Sequence, residues 1–117
     1  MSYVDGFVVA VPNDKKQDYI DLAQSAAKVF KRCGATNVVE CWADNVPDGK
    51  LTSLPMAVKC QQNESVVFSW VRWPSKEVQE SGMKEFMQDP ICNQDNNPMP
   101  FDGKRMIFGS FNVILDE

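Results

Sequence analysis

The sequence predicts an α+β fold of ferredoxin-like design, an antiparallel sheet carrying two helices on one face. Three observations predict it. Strand-like and helix-like stretches follow one another in the order β-α-β-β-β-α-β along 117 residues, one domain's worth of chain. The two helical stretches fall between strands in the manner of a split β-α-β unit. Several strands are apolar on both faces, so the face the helices leave free also asks for cover.

The first strand is Tyr3 to Val11, rich in β-branched and aromatic residues and closed by Pro12. Its odd positions carry Tyr3, Asp5, Phe7, Val9 and Val11; its even positions carry Val4, Gly6, Val8 and Ala10. A helix follows over 14–33, with Asp14 as N-cap and Gln17 completing a capping-box-like pair. Tyr19, Ala23, Ala26, Ala27, Phe30 and Cys33 recur at helical spacing, and Gly34 is the natural stop. Acidic residues fall early in this helix and basic ones late, as the helix dipole favours.

The second strand covers 36–44, followed by a Pro-Asp-Gly turn within 46–50. A short strand at 55–60, a polar hairpin loop at 61–64 and a clear strand at 65–73 come next, the last ended by Pro74. Ser75 caps a second helix that reaches Gln88 or Asp89, before Pro90. Gly82 inside that helix implies close packing at that point. Residues 91–103 read as a polar surface loop, and the last strand covers 104–115. If helices cover one face of this sheet, the free face exposes Phe7, Val9 and Trp42, and a second copy packed sheet against sheet is the simplest cover.

Composition excludes several kinds of chemistry. The chain has no histidine, so no Ser-His-Asp or Cys-His catalytic pair, imidazole metal site or histidine pH switch can form. Twelve basic against sixteen acidic residues give a formal charge of −4, which argues against nucleic acid or an anionic membrane as partner. No apolar run is long enough to span a bilayer, and the N-terminus lacks a basic leader, so a cytoplasmic location is expected. The four cysteines lack metal or redox spacing. Cys41 and Cys60 read as buried thiols in strand-like runs, and Cys92 as a loop thiol without a nearby base. No glycine-rich phosphate loop or carboxylate metal cage is present, and no cofactor is expected.

Several strings stand together: Tyr3-Val4-Asp5-Gly6-Phe7, Val39-Glu40-Cys41-Trp42 leading to Val46-Pro47-Asp48-Gly49-Lys50, Val67-Phe68-Ser69-Trp70, Trp73-Pro74-Ser75, and Met99 to Met106. With these the chain resembles, over essentially its whole length, the YbaA-like family of small uncharacterised bacterial proteins. The resemblance implies a dimeric α+β barrel and no assigned function. That superfamily includes cofactor-free monooxygenases, isomerases, dehydratases and haem-degrading enzymes; the histidine-dependent ones cannot serve as a guide here. Ser110 stands where the resemblance leads one to expect a second glycine after Gly109.

Asp5 and Glu40 are the candidate catalytic pair, because each interrupts an apolar strand where a carboxylate is costly unless paired or solvated. If their strands are neighbours, both could face the dimer side with Trp42. They read either as an acid/base site with a raised pKa or as structural ion pairs with Lys59, Arg72, Lys104 or Arg105. Trp42, Trp70 and Trp73 read either as core and interface packing or as the walls of a flat pocket. The stretch from Met99 to Met106 is either a loop closing onto the last strand or a lid in which Lys104 or Arg105 holds a carboxylate or enolate. The candidate ligand-binding set is thus Trp42, Trp70, Phe101, Lys104, Arg105 and Met106. Two functions follow: a homodimeric enzyme or binder for a small apolar or aromatic metabolite, or a non-catalytic homodimeric structural or interaction module.

Overall fold

A computed structural model describes residues 2–95 and 97–117. Four strands and three helices follow in the order β1 (Tyr3–Pro12), α1 (Lys16–Arg32), β2 (Asn37–Trp42), α2 (Leu54–Ala57), β3 (Glu64–Trp73), α3 (Lys76–Gln88) and β4 (Ile107–Asn112). The strands form one antiparallel sheet in the order β2-β3-β1-β4. With α1 joining β1 to β2 and α3 joining β3 to β4, this is the ferredoxin-like topology that the element order predicts.

Register decides which side chains share a face. Asp5 lies opposite Val71 and Ser110, and Glu40 lies opposite Ser69, which in turn faces Phe7. These residues point to the side that α1 and α3 cover. Val9, Val11, Tyr19 and Val67 form one buried cluster there, and Ala35, Val71 and Trp73 form another. The helices meet through Phe30 and Phe86, stacked at 3.9 Å, while Phe30 meets Trp73 edge-on at 6.2 Å. Trp73 is fully buried. A Cβ at Gly82 would lie 2.4 Å from the Trp73 ring, so α3 needs glycine there to come close.

The free face carries the even positions of β1. One end of it is closed by the segment around α2, where Val58 packs on Val8, Ala10 and Val66. The other end is bare. Phe68 is 47% exposed and Phe111 59% exposed, with Ile107 and Trp70 beside them. Gly6 and Gly109 face each other across β1 and β4, and the Phe111 ring lies over both.

Four expectations need correction. Residues 55–60 are not a strand; Ser53 accepts from the Met56 N–H at 3.1 Å and Pro55 sits in the first helical turn, which starts α2 instead. Cys60 therefore lies just beyond the turn that follows this helix, not in a strand. Asp14 does not cap α1: Asn13–Lys15 form a 3-10 turn, Lys15 occupies the cap position without a side-chain hydrogen bond, and Gln17 bonds Asp21. Phe7, Val9 and Trp42 do not lie on the free face but under the helices, because the larger side chains of β1 occupy its odd positions and the helices take that side.

Candidate functional site

Asp5 is 4% exposed, yet no cation among the described residues meets it. Three neutral donors do. The Trp73 indole N–H donates at 3.0 Å, the Gln79 amide at 3.1 and 3.2 Å to the two oxygens, and the Ser110 hydroxyl at 2.5 Å. Each donor is placed by its element: Trp73 ends β3, Ser110 stands opposite on β4, and Gln79 lies one turn beyond the Ser75 cap that starts α3. The site locks α3, β3 and β4 onto β1. It is a third arrangement, neither a cavity nor an ion pair with Lys59, Arg72, Lys104 or Arg105.

Glu40 is different. It stands on edge strand β2, exposed as a residue, with its carboxyl part-buried against α1. The buried Tyr19 hydroxyl donates to it at 2.6 Å. Ser69 stands opposite Glu40 on β3. Burial holds the Glu40 carboxyl above the ordinary glutamate range, and the bond from Tyr19 only partly offsets that. The Tyr19 phenol is pushed up as well, first by burial and then by the adjacent Glu40 charge. Trp42 follows on the same face, with the Lys16 ammonium 5.1 Å from its ring centroid. A carboxyl whose charged form burial disfavours, open at one edge and flanked by an aromatic ring, can exchange a proton with a bound molecule.

The structure divides the other candidates among four places. Trp42, Phe101 and Met106 pack on the cluster that holds Tyr19, with Phe101 5.8 Å from the Tyr19 ring. Phe101, Lys104 and Met106 also line a surface depression of about 580 Å³ with Met99. Arg105 is committed elsewhere: it donates to both Glu64 oxygens at 2.7 Å, to Asp102 at 3.2 Å and to the Lys59 carbonyl at 2.8 Å. That fork holds the Glu64 carboxyl below the usual range. Trp70 lies on the opposite, free face beside Phe68 at 5.7 Å. The Cys92 thiol is pushed up by burial, away from reactivity.

Tyr19 and Ser69, which stand beside Glu40, are not among the residues that the sequence marks as candidates. Tyr19 carries a signal, its place on the buried stripe of α1, but nothing in the spacing tells that Glu40 receives its hydroxyl. Ser69 becomes visible only once the β2–β3 register is known.

Proteins bearing the name uncharacterized protein YbaA, from Escherichia coli K12, Escherichia coli O157:H7 and Shigella flexneri, are each 56% identical to this chain over 117 residues, covering all of both chains. Among solved structures, the de novo designed protein Foldit4 is similar with a TM-score of 0.49 and 14% identity, covering 97% of this chain and 99% of that one. CPII bound to ADP and bicarbonate, from Thiomonas intermedia, gives 0.40 and 9% over 97% and 91%. Neither superposes closely enough to transfer a site. No helix among the described residues is long and apolar enough to cross a membrane. Residues 2–103 match the family described as a protein of unknown function, DUF1428, and with full-length identity to the YbaA proteins the chain belongs to that family.

Proposed function

We propose that the chain is a cytoplasmic homodimer that binds a small apolar or aromatic metabolite and uses Glu40 as its acid/base group. The observation that carries this reading is the Glu40 carboxyl, raised in pKa by burial, bonded to Tyr19 at 2.6 Å and bordered by Trp42 at an open edge. Of the two candidate acid/base carboxyls, Asp5 is saturated by its neighbours, which leaves Glu40 available for proton transfer. The reaction class that fits is proton transfer without a bound cofactor.

The dimer is supported by the bare end of the free sheet face, where Phe68, Trp70, Ile107 and Phe111 form an apolar patch on one side of a four-stranded sheet. Two such faces related by a two-fold axis cover each other. Light scattering on a sizing column is expected to give twice the 13.2 kDa chain mass; a 13 kDa species at micromolar concentration contradicts it.

The closure of Asp5 and Arg105 favours a second reading, a non-catalytic homodimeric module. A thermal-shift screen against metabolites separates the two. The first reading expects a stabilising ligand whose effect is lost in Glu40→Gln while the dimer stays folded. No stabilising ligand, and a Glu40→Gln protein that behaves as wild type, supports the module.

A further inference from the structure

We propose that the depression beside the segment 97–106 holds a small aromatic monocarboxylate, with Lys104 as its counter-charge. This rests on the reading above that the chain binds a metabolite, and names the ligand class and its seat. The volume, about 580 Å³, falls within the range of roughly 300–1,000 Å³ common for small-molecule sites. Its apolar wall is Met99, Phe101 and Met106. Thioethers adapt in shape and make favourable contacts with aromatic rings. The Lys104 side chain lines the same opening and makes no ion pair among the described residues.

The neighbouring charges narrow the choice. Arg105, the next cation along the chain, is fixed by the Glu64 fork. Asp102, the carboxylate at the rim, already accepts from the Lys104 backbone N–H at 3.0 Å and from Arg105 at 3.2 Å, so its charge is answered within the protein. One compact ammonium beside an apolar slot suits a single carboxylate; a phosphate calls for a guanidinium fork or a set of backbone N–H groups. Phe101 is a shared wall, since it lines the depression and also packs on Tyr19 at 5.8 Å. A ring bound there sits one side chain away from the Tyr19–Glu40 pair.

Phenylacetate and its neutral counterpart phenylacetamide are the probes. Their binding to the full chain is measured by NMR titration, with the Met99 and Met106 methyl signals as reporters, for wild type and Lys104→Met. Phenylacetate is expected to shift both methyl signals and to bind about tenfold more weakly to Lys104→Met. Phenylacetamide is expected to bind both proteins alike. Equal phenylacetate affinity in Lys104→Met, shifts that spare Met99 and Met106, or no binding at millimolar concentration overturns the proposal. A normal titration of Glu40 instead removes the acid/base reading while leaving the seat at Lys104 intact, so the two failures are told apart.

Discussion

Asp5 and Glu40 lie on the same face of one sheet, and each interrupts an apolar strand, yet they are satisfied in different ways. Asp5 is closed off by an indole, an amide and a hydroxyl from three separate elements. Glu40 accepts from a phenol and stands at the sheet edge. A carboxylate ringed by donors from β3, α3 and β4 is a fastener. A carboxyl that burial disfavours in its charged form, with one side open, is a group that can move a proton. The difference comes from strand position: β1 is central and covered on its helix side, while β2 is an edge.

The largest change expected from breaking this contrast is at Trp73. Trp73→Ala removes a fully buried ring against which Phe30 and Gly82 pack, and takes one donor from Asp5. A loss of about 3–5 kcal/mol is expected in urea unfolding, enough to leave a small chain marginal. Asp5→Asn comes next. Its amide nitrogen would face at least one of three donors, and a loss of about 1–3 kcal/mol is expected; a change within error at pH 7 would show that the cage is not needed.

Glu40→Gln is expected to be the smallest change and of opposite sign. The folded-state pKa of Glu40 is raised above its unfolded value. The folded chain therefore holds more protons than the unfolded chain between the two values, and wild-type stability falls as pH rises through the folded pKa. Glutamine keeps an acceptor for Tyr19 without the charge. The variant should equal or exceed wild type at pH 7, within about 0.5 kcal/mol, and lose that advantage below the unfolded pKa. Glu64 runs the other way: its pKa is lowered by Arg105, so its stabilisation is present at neutral pH and is lost as pH falls through the folded value. Thermal melts of Glu40→Gln and Glu64→Gln from pH 3 to pH 8 should thus diverge in opposite directions.

Much of the scaffold was legible in the residues. Pro12 and Pro74 bracket β1 and β3 closely, Ser75 caps α3 through the Val78 N–H at 3.2 Å, and Gly34 adopts a φ of 115° after α1. The run 55–60 was misread because a short apolar stretch does not distinguish strand from helix, and the Ser-Leu-Pro start at 53–55 was the better signal. Asp5 and Glu40 were visible as charges in apolar strands. Their partners were not, since Trp73, Gln79 and Ser110 lie 68, 74 and 105 residues from Asp5 along the chain, and pairing at such distances is set by register and helix docking. Which face the helices cover is likewise a tertiary choice that alternation along β1 leaves open.

The most direct test of the contrast between the two carboxylates is a carbon-detected NMR titration of the side-chain carboxyls, with Glu40 assigned by its absence in Glu40→Gln. The Glu40 carboxyl is expected to titrate above the ordinary glutamate range, and to move further above it in Tyr19→Phe, which loses the hydrogen bond that lowers it while burial remains. Titration of Glu40 at or below the ordinary glutamate value would contradict the assignment of a proton-holding site at this edge.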